Sequence, residues 1–235
     1  MTELIGLLPA AGRGSRLGPI PCSKEIMPLG FQPNPASAEG RWQPVTAIET
    51  HLQALKVAGA TQATIVISET KSDIVRYIGD GSRYGIPVVY LYQQELRGMP
   101  FALNLVTPWI GTGTTIFSMP DTLITPVDTL AQVVIHHQQQ PSDLTLGLFY
   151  TTTPHKFGMI KLDTHGRVIT FVDKPVETDL NLMWGLAAWS RRFTKFLDHF
   201  LASFSTYASE CVLSDVFLAA LHNGLSVQAI ILEDA

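Results

Sequence analysis

The chain has 235 residues and is poor in charge and in cysteine. Asp, Glu, Lys and Arg make up only 15% of it, and the net charge is −4. With so little charge, a disordered tail or a coiled coil is not expected. Basic residues adjoin only at Arg191-Arg192. The electrostatic footprint of a duplex nucleic-acid binder is therefore missing, and no nucleic-acid partner is expected. Two cysteines, Cys22 and Cys211, lie far apart and form no CxxC pair. That argues against a disulfide scaffold and a cysteine-rich zinc site. The seven histidines show no metal-ligand spacing and read as structural. No apolar stretch reaches the about 18 residues that a membrane helix needs. The opening Met1-Thr2-Glu3 has no basic signal region. A cytoplasmic protein with no membrane partner is expected.

What is present is apolar. Hydrophobic residues make up 46% of the chain, enough to bury a sizeable core in one domain. Strand-like and helix-like segments alternate. Leu4 to Leu8 is an apolar run that stops at Pro9 and a glycine loop. Ile48, Leu52 and Leu55 fall at i, i+4 and i+7, which predicts an amphipathic helix over 47–58 closed by Gly59. Strands are predicted over 63–67, 87–92, 114–119 and 144–150, with helices over 72–78, 99–106 and 127–138 between them. Beyond Tyr150 the spacing predicts a hairpin of 159–162 and 167–172, a strand over 182–189, helices over 193–204 and 212–221, and a last strand over 226–232. The Pro- and Gly-rich stretch from Phe31 to Trp42 reads as a surface loop. Repeated β-α-β order predicts an α/β fold with a mainly parallel sheet covered by helices. Ligands in such sheets sit beyond the carboxyl ends of the strands. The glycine loop and Asp121 both fall at that edge.

Pro9-Ala10-Ala11-Gly12-Arg13-Gly14-Ser15-Arg16-Leu17 carries the first chemistry. Glycines let backbone amides approach phosphate oxygens, and the arginines add fixed positive charge. Neither GxGxxG nor GK[ST] is matched, so this is neither a dinucleotide fingerprint nor a P-loop. On its own the loop reads equally as an ordinary strand-to-helix turn. Lys24, in Ser23-Lys24-Glu25-Ile26-Met27-Pro28-Leu29, offers a point charge for phosphate, or equally a solvated surface lysine.

Ala10 to Leu17 followed by Lys24 to Leu29 resembles the signature of sugar-1-phosphate nucleotidylyltransferases. The resemblance continues in order through Gly79-Asp80-Gly81-Ser82-Arg83-Tyr84-Gly85-Ile86, Gln93 with Gly98, Ser118-Met119-Pro120-Asp121, Phe157-Gly158-Met159-Ile160, Val172-Asp173-Lys174-Pro175 and Trp184-Gly185. It implies a three-layer α/β/α Rossmann-like nucleotidyltransferase fold with a mainly parallel mixed central sheet. The whole chain would be one domain, its nucleotide-binding part about 1–125 and its sugar-binding part about 126–235. The implied reaction joins a nucleoside triphosphate and a sugar 1-phosphate, with Mg²⁺ as cofactor. The implied catalytic residues are Arg16, Lys24, Asp121 and Lys174, with Asp121 on the metal. The implied nucleotide contacts are Ala10, Ala11, Gly12, Gly14, Ser15, Arg16, Lys24, Gln93 and Gly98. For the sugar they are Gly158, Asp173, Lys174, Trp184 and Gly185. The family also allows a homo-oligomer.

The sequence departs from the family pattern in places. Ala11 stands where a glycine is common, and the interval from Arg16 to Lys24 is short. Ala208 occupies the place of a phosphate-binding arginine. A second metal aspartate is expected after the late strand, where this sequence reads Glu233-Asp234-Ala235. Two alternatives stay open at this point: a cytidylyltransferase acting on a non-sugar alcohol phosphate, and a weakly catalytic homologue that binds nucleotide or sugar nucleotide.

Overall fold

A computed structural model describes residues 3–14, 17–34, 39–140, 142–204 and 211–232. The chain begins with β1 (Leu4–Pro9), then a hairpin of β2 (Pro28–Pro33) and β3 (Trp42–Thr46). Next come α1 (Ala47–Val57), β4 (Gln62–Ile67), α2 (Ser72–Ile78), β5 (Val88–Tyr92), α3 (Met99–Asn104) and β6 (Thr114–Ser118). The second half runs α4 (Thr129–Gln139), β7 (Leu144–Tyr150), β8 (Gly158–Leu162), β9 (Val168–Asp173), β10 (Leu182–Trp189), α5 (Arg191–Ser203), α6 (Leu213–His222) and β11 (Val227–Ile231).

One sheet carries both halves in the order β11-β7-β10-β6-β1-β4-β5, with β8 pairing β10 and β9 pairing β8. The pairs β1–β4, β1–β6, β4–β5 and β7–β11 are parallel. β10 runs antiparallel between β6 and β7, which makes the sheet mixed. Period-2 alternation splits the core. On β1, Ile5 and Leu7 join a cluster with Leu103 of α3, Phe193 of α5 and Phe217 of α6. Leu4 and Leu8 turn to the other face, with Leu52 of α1, Ile74 of α2 and Leu130 of α4. The result is the three-layer α/β/α arrangement.

α1 matters most for the site. Glu49 closes its first turn by accepting from the Thr46 backbone N–H at 3.0 Å and the Thr46 hydroxyl at 3.1 Å. This reciprocal cap fixes where the helix starts. Gly6 lets the helix approach β1 closely, since a Cβ there would meet Leu55 Cδ1 at 2.5 Å.

The expected surface loop over 31–42 is corrected. Phe31 pairs with Pro44 and Pro33 with Trp42 across an antiparallel hairpin. Composition hid the strands, because proline is usually a strand breaker. In a two-stranded ribbon both edges are free, and a proline without an N–H can face outward.

Candidate active site

The end of β1 delivers the glycine loop. Ala10 and Ala11 are buried, the Ala10 N–H donates to Val66 O at 2.8 Å, and Ser68 Oγ donates to Ala11 O at 2.8 Å. These bonds moor the loop to the end of β4. Gly12 has open space where a side chain would stand, and a Cβ on Gly14 would lie 3.6 Å from Lys24 Cδ. The loop backbone therefore faces Lys24. Ser15 and Arg16 lie outside the described residues, as do Ala208 and Asp234.

Lys24 begins a short 3-10 turn, Lys24–Ile26, whose neighbours are tied down on both sides. Before it, the Ser23 N–H and hydroxyl donate to the Asp73 carboxylate at 2.6 and 2.7 Å. After it, Glu25 pairs with Lys71 at 2.8 Å, with both side chains at most 4% exposed. Burial alone would raise the Asp73 carboxyl, but the bonds from Ser23 outweigh it and hold the pKa below its ordinary value. Lys24 thus rises from a rigid base, and its ammonium pairs with the Asp121 carboxylate.

Asp121 sits in the turn that follows β6. The Thr122 N–H and hydroxyl both donate to Met119 O, at 3.1 and 2.8 Å. His51 of α1 reaches this turn from below. Its Nδ1 meets Ser118 Oγ, and its Nε2 lies 2.9 Å from Thr122 O. A carbonyl oxygen can only accept, so Nε2 carries the proton and Nδ1 accepts from the serine. Burial lowers the His51 pKa, against the raising effects of the Thr122 carbonyl and the Asp121 charge, and the ring is neutral at pH 7.

At the end of β5, the Gln93 N–H donates to Ile67 O at 2.8 Å. The residue is 6% exposed, and its amide nitrogen has no partner among the described residues. Gly98 takes φ 105°, a conformation that side chains avoid, and so turns the chain into α3. Arg97 stacks over Phe101 with its guanidinium carbon 3.9 Å from the ring centroid. Asp80 accepts from the Ser82 N–H at 2.9 Å and closes a turn.

The expected sugar side comes from the hairpin and β10. Gly158 stands opposite Asp173, and the Lys174 N–H donates to Phe157 O at 3.0 Å. Lys174 has φ 41°, unusual for a residue with a side chain, and its ammonium lies 3.3 Å from Asp173 Oδ2. Strained backbone of this kind persists only where the surroundings impose it. β10 runs beside β6 with Leu186 opposite Ser118, so Gly185 and Trp184 extend toward the turn of Asp121. The pairing of β10 with β7 shifts register between Trp184 and Leu186, at Gly185.

Trp184 itself is packed into the core. It is 7% exposed, its ring centroid lies 5.1 Å from that of Phe217, and its indole N–H donates to Ser214 Oγ at 3.3 Å. A Cβ on Gly158 would collide with that same indole and with Ser214 Oγ, and one on Gly185 would meet the Phe149 ring at 2.9 Å. Both glycines are therefore required by packing whatever else they contact. Gly158→Ala is expected to cost about 1–3 kcal/mol, the usual range for overpacking a close-fitted site. Thermal unfolding checks this, and an unchanged melting temperature contradicts it.

Sequence reasoning missed His51, Ser23, Glu25, Lys71 and Asp73. The signal for His51 was its place beside Leu52 on the apolar stripe of α1, which forces a polar ring inward. The others gave no local signal, since Glu25 and Lys71 lie 46 residues apart.

Comparison with known proteins agrees with the fold. The family model described as Nucleotidyl transferase matches residues 5–235. The low-salt glycan biosynthesis nucleotidyltransferase Agl11 of Haloferax volcanii is 22% identical over 232 residues, covering 97% of this chain and 60% of that protein. A glucose-1-phosphate thymidylyltransferase of Streptomyces griseus is 27% identical over 181 residues, covering 75% of this chain and 47% of its own. The chain thus spans roughly half the length of these relatives. A crystal structure from Bacillus anthracis, assigned as a glucose-1-phosphate thymidylyltransferase and holding a sucrose, superposes with a TM-score of 0.84. It shares 20% identity, and the match covers 99% of this chain and 88% of that one, so it bears on the fold. Among the described residues, no helix is long and apolar enough to cross a membrane.

Proposed function

The chain belongs to the nucleotidyl transferase family, and from that premise we propose that it joins a nucleoside triphosphate to a sugar 1-phosphate, giving a nucleoside-diphosphate sugar and pyrophosphate. One observation carries the reading. Lys24 and Asp121, 97 residues apart, meet as an ion pair beside the glycine loop at the carboxyl edge of the sheet. A cation and a hard carboxylate at that edge suit a triphosphate and its counter-ion.

In this reaction a sugar phosphate oxygen attacks the α-phosphorus in line, and the bond to pyrophosphate breaks. The nucleophile is already ionised near neutral pH, so positioning and charge neutralisation suffice. Lys24 leaves Asp121 for the phosphate oxygens and offsets the charge that builds on the leaving pyrophosphate. Arg16 adds a second cation from the same loop. Ala10, Ala11, Gly12, Gly14 and Ser15 shape that loop around the triphosphate. Lys174, held at its strained φ, binds the phosphate of the sugar. Asp121 would hold Mg²⁺, since one carboxylate fits an ion that takes its other ligands from water and substrate phosphates. When bound, that ion supplies further neutralisation of the triphosphate.

Gln93 reads the base edge, and Gly98 supplies backbone beside it. A buried amide without a partner typically costs about 1–3 kcal/mol, a penalty that a base carbonyl relieves. Gly158, Gly185 and Asp173 contact the sugar, while Trp184 forms the floor beneath it.

The test is direct. The protein is incubated with Mg²⁺, a panel of nucleoside triphosphates and several sugar 1-phosphates, and pyrophosphate is measured. Deoxythymidine triphosphate with glucose 1-phosphate leads the panel, because the Streptomyces griseus relative is a glucose-1-phosphate thymidylyltransferase. Release that requires a sugar phosphate is expected. Absence of release with every pair overturns the reading.

A further inference from the structure

We propose that His51 is a positioning residue that sets the Asp121 carboxylate by bracing both ends of its turn. The proposal rests on the reading of Asp121 as a metal ligand given above. Three observations carry it.

The turn carries its own bonds, from Thr122 to Met119 O, and its Ser118 end is paired in the sheet with Leu186 of β10. His51 adds a side-chain constraint that ties the two ends of the turn to each other. One ring nitrogen takes the hydroxyl of Ser118, the last residue of β6, and the other takes the carbonyl of Thr122, the residue after Asp121. The imidazole therefore spans the segment Met119-Pro120-Asp121 like a strut.

The strut has a fixed foot. α1 is capped by Glu49, which also accepts from Tyr84 Oη at 2.7 Å and from Arg83 at 3.3 Å. Ile48, Leu52 and Leu55 around His51 are fully buried. Movement of the ring would require movement of the helix.

Packing alone does not call for a histidine. His51 is 1% exposed and shares an apolar stripe where a leucine would fill the space without desolvating two polar atoms. What a leucine cannot do is donate to Thr122 and accept from Ser118 together. Groups that orient a metal ligand from behind typically change metal affinity about 10- to 100-fold when removed.

Binding of Mn²⁺ in the presence of a nucleoside triphosphate, followed by electron paramagnetic resonance on the full chain, tests this. His51→Leu is expected to weaken binding about tenfold, in line with such supporting groups. His51→Gln, which keeps one donor and one acceptor, is expected to restore most of the affinity. Ser118→Ala removes one end of the strut with little change of volume and should weaken binding in the same direction, which keeps the test open if His51→Leu fails to fold. Asp121→Asn is the control for the underlying reading. Loss of Mn²⁺ binding in Asp121→Asn, with wild-type affinity in the folded His51→Leu and Ser118→Ala proteins, overturns the role of His51 alone. Absence of binding in the wild-type protein, or full binding in Asp121→Asn, overturns the metal reading and the strut with it.

Discussion

Asp121→Asn is expected to lower pyrophosphate release about 10²- to 10³-fold while leaving the protein folded, the range seen when one preorganised charge-stabilising group is lost. The substitution keeps shape and removes charge. In the resting protein the carboxylate faces Lys24, with side chains 33% and 24% exposed. Ion pairs that open to solvent typically contribute about 0–1 kcal/mol, so losing this one moves the melting temperature little. Turnover behaves differently. Charge developing on phosphate oxygens in a partly dry site is far more sensitive to a missing carboxylate and its counter-ion than the resting fold is. Lys24→Met should fall in the same range from the opposite sign of charge. Paired measurements of pyrophosphate release and thermal unfolding decide the matter. Unchanged turnover in Asp121→Asn removes the residue from the mechanism, and a collapsed melting temperature makes it a structural residue instead.

Much of this arrangement is legible in the sequence, and the gaps have physical causes. α2, β7 and β10 fall where hydrophobic period and glycine punctuation predict them, because those signals are local. The direction of β10 is not local. The same residues fit a parallel or an antiparallel place, and only pairing with β6 and β7 decides. The β2–β3 hairpin was hidden by its prolines, whose meaning depends on whether a partner strand lies beyond them. In the site, the glycine loop, Lys24, Gln93 and Asp121 stand out by type and order. That Lys24 and Asp121 touch could not be read from order alone. The partners of His51 were hidden for the same reason, since they lie 67 and 71 residues away. Gly158 stood out as a motif residue, but its fit against Trp184 appears only in three dimensions.

The base beneath Lys24 yields the largest expected stability effect. Glu25 and Lys71 form a pair at 2.8 Å with side chains 1% and 4% exposed. Breaking such a pair from one side strands a charge in the core and typically costs about 3–5 kcal/mol. Lys71→Met is therefore expected to lower the melting temperature by roughly 6–20 °C, taking about 2–4 °C per kcal/mol for a domain of this size. Turnover should fall with it, since Glu25 adjoins Lys24 and fixes one end of its turn. The double variant Glu25→Leu with Lys71→Met separates the two effects. Replacing both charges by apolar groups of similar volume is often neutral or stabilising, so the double variant should recover most of the lost stability. The coupling between the two sites, read from a double-mutant cycle, should then exceed about 2 kcal/mol, well beyond the value for independent positions. Ser23 still anchors the turn to Asp73 in that variant. Lys24 keeps its base on one side, and turnover is expected to return with stability. Additive losses in the double variant would mean that the pair is not coupled in solution, and that Lys24 is held by the Ser23–Asp73 bonds alone.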